Sequence, residues 1–346
     1  MSQSNWIFPA EWEQQEGVLL CFPHNGNDWP GKYEAIQWAF VEFIKKVASV
    51  ETVFLVVANE KLKDKVQNML ETAHVNLKNV SFIIQKTNRS WMRDSGPIIV
   101  KNGTNRKGLN FNFNGWAKYS NYKLDKHVPQ KVTEALNIPL EQVLYKGKPV
   151  VLEGGALEVN GKGTLITTEE CLLHPNIQVR NAGFNKSDYE AIFKEYLGVT
   201  HVIWLGNGVE GDDTHGHIDD LARFVNENTI LTVVEDNPED ANYKPLQDNL
   251  KRLKEATLEN GKHPNVVSLP MPKRLDFDGI RLPASYANFL IINKTVLVPT
   301  FNDANDRVAL NIIADCFPDR EIIGISATDF IWGFGTLHCL SQQIPK

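Results

Sequence analysis

Residues 285–326 read SYANFLIINKTVLVPTFNDANDRVALNIIADCFPDREIIGIS. Two apolar runs, 285–292 and 295–299, are rich in Val, Ile and Phe and are bounded by Asn, Asp or Pro, the signature of short strands. A helical pattern over 303–316 follows, with Asp303 as its expected cap. A third strand-like run at 321–325 closes the segment. The order is strand, strand, helix, strand. Working outward, further strand-like runs lie at 17–22, 52–57, 80–85, 97–100, 149–152, 163–167, 201–205, 229–234 and 264–269. Helix-like stretches lie at 31–49, 127–137, 186–197 and 241–258, with a short one near 60–75, and Ser187 is the expected cap of the third. After the first gap the helix centres recur about every 60 residues, which suggests radial or stacked repetition. The strand runs expected after the helices are TVFLVV, QVLYK, HVIWL, NVVSL and EIIGIS, giving five units, the first two less regular. Residue identity between units is negligible. The pattern alone also fits a two-domain α/β protein with mixed sheets. No Gly/Ser-rich or Pro-rich linker divides the chain, which favours one domain.

The chain has 346 residues, 42% hydrophobic and 23% charged, which excludes disordered, collagenous and low-complexity classes. A formal charge of −6 argues against a nucleic-acid binder that relies on a basic surface. The same balance suits a small cationic substrate. Four cysteines at 21, 171, 316 and 339 form no CxxC pair, so neither a four-cysteine zinc cage nor a disulfide scaffold is expected. The opening MSQSNWIFPAEWEQQEG has no basic or apolar leader, and no apolar run reaches the ~18 residues of a membrane span. The expectation is a cytoplasmic protein without membrane or nucleic-acid partners.

Four clusters carry chemistry-bearing residues. Trp91-Met92-Arg93-Asp94-Ser95-Gly96-Pro97 precedes a strand-like run and reads either as a pocket wall or as a surface ion pair beside a tryptophan. Glu153-Gly154-Gly155 reads as a close backbone approach to a ligand, or as a turn with a solvated Glu. The stretch Gly211 to Asp220 is the densest. His217 and Asp219 lie two apart and share a face if extended, placing a proton shuttle beside a carboxylate. His215-Gly216-His217 also resembles a metal-ligand pair, and the bland reading is a capped acidic loop. Cys339 follows a Gly-rich stretch and is a reactive thiol or a small buried apolar residue. Its neighbour His338 is a poor base, because adjacent side chains in extended chain point apart. Cys21 and Cys316 read as core, and Cys171 has no clear partner.

Together the clusters resemble the agmatine deiminase family, relatives of the bacterial peptidylarginine deiminases. The matching pieces stand in family order over roughly residues 7 to 345. They are 91–97, Phe113-Asn114-Gly115-Trp116-Ala117-Lys118-Tyr119, Leu152-Glu153-Gly154-Gly155, Thr167 to Leu173, Asp212 to Asp219, Ala284 to Phe289 and His338 to Pro345. The resemblance implies an α/β pentein propeller, five ββαβ units around a pseudo-fivefold axis, as one catalytic domain over 1–346. It implies that Asp94 and Asp219 clamp a guanidinium, Cys339 attacks its carbon, and His217 serves as acid and then base. Trp91 becomes a pocket wall, Glu153 and Asn288 position substrate or intermediate, and Asp213 meets the substrate's distal end. The implied reaction converts agmatine to N-carbamoylputrescine and ammonia, with no metal or cofactor, in a homodimer.

Some positions depart from the family pattern. Asp213 and His215 stand where many members carry Glu and Asn, and Phe334 interrupts a glycine triplet. The segment Asn176–Lys186 lacks the usual Asn-Arg-Asn-Pro run. The competing expectations are deimination of free or peptidyl arginine, a metal-dependent amidohydrolase using His215 and His217, and a guanidine-binding protein without turnover.

Overall fold

In the computed structural model, which describes residues 6–346, the quoted segment folds as strand, strand, helix, strand. Leu290–Ile292 and Thr295–Thr300 pair antiparallel, helix Asn305–Cys316 crosses over, and Glu321–Ser326 returns parallel to Thr295–Thr300. Four other sheets repeat this mixed pattern. In the first, Ser341–Pro345 pairs antiparallel with Gln15–Cys21, which runs parallel to Thr52–Val57 across helix Tyr33–Ala48. A further parallel strand, Val80–Ile84, follows helix Glu60–Thr72. The second sheet joins Ile98–Asn102, Asn105–Asn110 and Leu140–Gln142 around helix Val128–Leu136. The third joins Glu158–Val159, Thr164–Thr168 and His201–Leu205 around helix Lys186–Leu197. The fourth joins Ala222–Asn226, Thr229–Val234 and Asn265–Pro270 around helix Tyr243–Glu255. The class is mixed α/β.

The helices form because one face is apolar. Tyr33–Ala48 buries Ile36, Phe40, Val41, Phe43, Ile44 and Val47. Each fully buried side chain of this size stabilises the fold by about 1.5–3 kcal/mol relative to exposure. Strands read less well. Asn105–Asn110 (NRKGLN) is too polar to stand out, and Ala222–Asn226 and Ser341–Pro345 carry buried polar residues, of which Arg223, Ser341 and Gln343 are paired inside the protein. The expected strand QVLYK is divided: Leu140–Gln142 joins the second sheet, while Leu144–Tyr145 pairs with Lys148–Pro149 in a separate hairpin. From the run at 149–152, Pro149 lies in that hairpin and Val151 forms an isolated bridge to Asn112. The cap of Lys186–Leu197 is Asn185, not Ser187, because Asn185 and Asp188 form a reciprocal capping box. Asp303 lies just outside its helix, whose N-cap is Ala304, and accepts from the Asn305 amide at 2.8 Å.

The repeat positions chemistry in a regular way. Each sheet's leading strand is preceded at once by a cluster from the sequence. Asp94 sits in the short helix Met92–Ser95 before Ile98–Asn102. Glu153 precedes the turn Gly154–Ala156 that leads to Glu158–Val159. His217 and Asp219 precede Ala222–Asn226, Asn288 precedes Leu290–Ile292, and Cys339 precedes Ser341–Pro345. Among the described residues, no helix is long and apolar enough to cross a membrane.

Arg223 ties these units together from the inside. It is fully buried, donating to Glu11 at 2.7 Å, to Glu158 at 2.9 Å, and to the carbonyls of Ala287 and Phe289. Removing one member of a buried ion cluster leaves its partners uncompensated. Arg223→Met should therefore cost about 3–5 kcal/mol in urea unfolding. A cost below about 1 kcal/mol, the range of exposed ion pairs, would contradict the assignment.

Candidate active site

A cavity of about 290 Å³ opens where these loops meet, lined by Asp28, Arg89, Trp91, Asp94, Trp116, Tyr119, Asp213, Phe334 and Cys339 among others. This is at the small end for ligand pockets. Of the eight residues singled out in the sequence, Trp91, Asp94, Asp213 and Cys339 face the cavity. Glu153, His217, Asp219 and Asn288 lie just behind it, each at most 1% exposed.

Asp94 is held from two sides. The Trp116 indole donates to Oδ2 at 2.9 Å, and the Gly155 amide donates to Oδ1 at 3.1 Å. Burial pushes its carboxyl up to about 6; His217 opposes the shift, and the charges of Asp219 and Glu153 add to it. His217 stands between two carboxylates, with Nδ1 3.8 Å from Asp94 Oδ1 and Nε2 3.9 Å from Glu153 Oε2. Burial alone would lower its basicity, but Asp94, Cys171 and Glu153 raise it well above the usual histidine range. Glu153 is in turn paired with buried Arg180 at 3.1 Å, and that cation outweighs burial and keeps the carboxylate ionised.

Cys339 is 7% exposed, and its Sγ lies 3.5 Å from Asp219 Oδ2. Burial raises the thiol well above its ordinary value, and Asp219, Asp220 and Asp94 raise it further. The Asn288 amide opposes this, donating to Sγ at 3.0 Å and to Asp220 at 3.0 Å. Asn288 Oδ1 accepts from the Thr336 hydroxyl and from the amides of His338 and Cys339. All its polar atoms are thus engaged with the protein, and they set the backbone that carries the thiol. Asp219 accepts from His338 Nδ1 at 2.7 Å, which outweighs burial and lowers its pKa, while its Oδ1 has no hydrogen-bond partner.

Asp213 lies at the mouth, where Lys118 at 2.6 Å and the Tyr119 hydroxyl at 2.8 Å hold it. Arg89 crosses the same wall, bonded to Asp28 at 2.9 Å and lying over the Tyr119 ring. His215 is directed away from the cavity. Its backbone is left-handed (φ 67°), its Nδ1 is 3.4 Å from Glu170, and its ring meets His174 edge-on. The described residues hold two trios of His, Cys and carboxylate groups at ligand spacing: Glu153–Cys171–His217 and Asp219–Asp220–Cys339. His215 belongs to neither, so it does not converge with His217. Phe334 lines the cavity with φ 69°, a conformation that favours glycine.

Sequence reasoning overlooked three contributors. Asp212 organises the loop, accepting from the amides of Thr214, Gly216 and His217. Its signal was present: an Asp ahead of Thr and Gly in a tight turn. Arg180 and Glu11 carried no local signal, since their partners lie far away in sequence.

Residues 7–345 match the family described as Porphyromonas-type peptidyl-arginine deiminases. The chain belongs to that family. A Selenomonas ruminantium protein named "Putative agmatine deiminase" is 33% identical over 98% of this chain and 96% of its own length. A cysteine-to-serine variant of the C. jejuni agmatine deiminase with substrate bound has 34% identity and a TM-score of 0.88, covering 99% of this chain and 96% of its own. A Porphyromonas gingivalis structure described as a "Putative Arginine Deiminase" has 36% identity and a TM-score of 0.87, covering 99% of this chain and 98% of its own.

Gly155 leaves no room for a side chain in this deiminase-family site. A Cβ there would stand 2.4 Å from His217 Nδ1 and 2.9 Å from Asp94 Oδ1. Gly155→Ala should keep the circular-dichroism spectrum and lose roughly 100-fold in turnover, since small displacements of reacting groups are costly. Wild-type turnover by that variant would show that Asp94 and His217 tolerate displacement.

Proposed function

We propose that this chain is an agmatine deiminase, hydrolysing a guanidine C–N bond to give N-carbamoylputrescine and ammonia. The observation that carries this reading is a buried thiol set among carboxylates on the floor of a small aromatic cavity. Within hydrogen-bond reach of Asp94 this site holds an indole N–H and a backbone amide but no cation. A guanidinium is planar, permanently charged and rich in N–H donors, so it supplies that cation and pairs with carboxylates on two sides. Asp94 and the unpaired oxygen of Asp219 are the acceptors. The arriving charge favours the Cys339 thiolate, the form that attacks, and the thiol proton leaves to water as the guanidinium enters. Sγ bonds to the guanidine carbon, and the C–N bond breaks as His217 gives its proton to the departing ammonia. His217 then takes a proton from water, whose oxygen bonds to the same carbon. The C–S bond breaks, and the thiolate and the ureido product are released. Glu153 and Arg180 orient His217 from behind.

In the same reading, the five ββαβ units form a propeller around a pseudo-fivefold axis, and residues 1–346 make one catalytic domain. Support comes from the leading-strand loops, which supply one site, and from Ser341–Pro345, which pairs with the first strand. Deimination of arginine is the second reading, favoured by Arg89 and Lys118 at the mouth and by the P. gingivalis relative. Both cations are already bonded to carboxylates, Asp28 and Asp213, which leaves less for a substrate carboxylate.

Two results test this. Ammonia and ureido product should appear with agmatine in preference to free arginine or an arginine peptide, and Cys339→Ala should abolish turnover while remaining folded. Preference for arginine, or ammonia release by Cys339→Ala, would overturn the reading. The pH dependence follows from Asp94, which loses its charge as pH falls through about 6 while the guanidinium stays charged. kcat/KM should therefore fall on the acid side of about pH 6, and a profile that stays flat to about pH 4 would contradict the clamp.

A further inference from the structure

We propose that His338 is a positioning residue: its Nδ1–H holds one oxygen of Asp219 so that the other is presented to the substrate. It is the residue beside the nucleophile that the reaction scheme leaves without a role. His338 is 1% exposed and stands between two carboxylates. Nδ1 is 2.7 Å from Asp219 Oδ2, and Nε2 is 2.8 Å from Glu11 Oε2. Both distances fall in the range of charge-assisted hydrogen bonds.

An imidazole nitrogen that faces a carboxylate oxygen must carry a proton to bond to it. Asp219 accepts at Oδ2 from His338 and, at 3.5 Å, from the Cys339 thiol. On the other side of the ring, Glu11 is paired with Arg223 at 2.7 Å, with Arg93 at 3.8 Å, and its Oε1 accepts from the Ile291 amide. The other charged groups around the pair are Arg93, Arg223 and Glu158 on the Glu11 side, and His217, Asp220 and Asp94 on the Asp219 side.

The arrangement has a consequence for binding. Because Oδ2 of Asp219 is occupied, only the partnerless Oδ1 is available to a guanidinium. The same dipeptide sets the nucleophile, since the amides of His338 and Cys339 both donate to Asn288 Oδ1. The clamp and the thiol are therefore placed together. This rests on the guanidine-deiminase reading for its effect on turnover, but not for the Nδ1 proton of His338.

Two isosteric variants separate the two contacts. Asn places its amide near the Nδ1 position and can keep the bond to Asp219. Gln places its amide near the Nε2 position and keeps only the bond to Glu11. On agmatine, His338→Asn should retain kcat within about 10-fold, whereas His338→Gln should lose at least about 100-fold, raise KM, and move the acid limb of kcat/KM to higher pH. Equal losses in both variants, in step with their loss of stability, would reduce His338 to a structural residue and overturn the proposal. Nitrogen-15 spectra of imidazole-labelled wild type read that proton directly, whatever the substrate proves to be. A proton on Nδ1 is expected, and an Nδ1 without one would overturn the proposal. Absent turnover of agmatine by wild type, with the Nδ1 proton present, would instead sink the functional reading alone.

Discussion

Negative charge held out of water around a single thiol is the constraint on which the rest of the structure depends. Asp94, Glu153 and Asp219 are all buried beside Cys339 and His217. Burying a carboxylate without a partner is costly, so each needs a cation or a set of N–H donors. The fold supplies these unevenly. Glu153 has Arg180, Glu11 and Glu158 have Arg223, and Asp219 has His338 on one oxygen. Asp94 receives only an indole, one backbone amide and a longer approach from His217. The compensation thus runs out where the cavity begins, at Asp94.

The architecture explains how a deficit of this kind is tolerated. The residues responsible do not share one element but stand at the starts of the leading strands of five sheets. Each is fixed by an antiparallel strand pair and an amphipathic helix of its own sheet. The buried core supplies the stability that the site lacks. Arg223 and Asn288 then lock neighbouring units to one another through bonds to side chains and carbonyls from distant parts of the chain. Gly155 marks a close approach, since only a residue without Cβ lets its amide reach Asp94 beside the His217 ring.

Much of this was legible in the sequence, because the local physics is strong there. The strand–strand–helix–strand order over 285–326 survives intact, and helix positions are close to their expected bounds. Asp94 and Cys339 were picked out by motif and do meet at one cavity. What escaped had no local signature. Asn105–Asn110 is a strand because its neighbours pair with it, not because its side chains are apolar. Arg180 and Glu11 matter through partners that only the folded chain brings near. Asn288, expected against the substrate, has its polar atoms engaged with Asp220, Thr336 and the thiol. His338 is a poor base only if the chain is extended there; residues 337–340 instead form a turn, and His338 and Cys339 both reach Asp219 Oδ2, with His338 also bonded to Glu11.

The central claim is that Cys339 is a neutral thiol until a guanidinium enters. The most direct test is the rate of its alkylation by iodoacetamide in the free protein as a function of pH, read by mass spectrometry at that residue. The carboxylates around Sγ predict a rate that is still climbing above pH 9, with no plateau near neutrality. A plateau at or below neutral pH would mean that the thiolate exists without substrate, and the account of the site as a cradle awaiting its cation would be wrong.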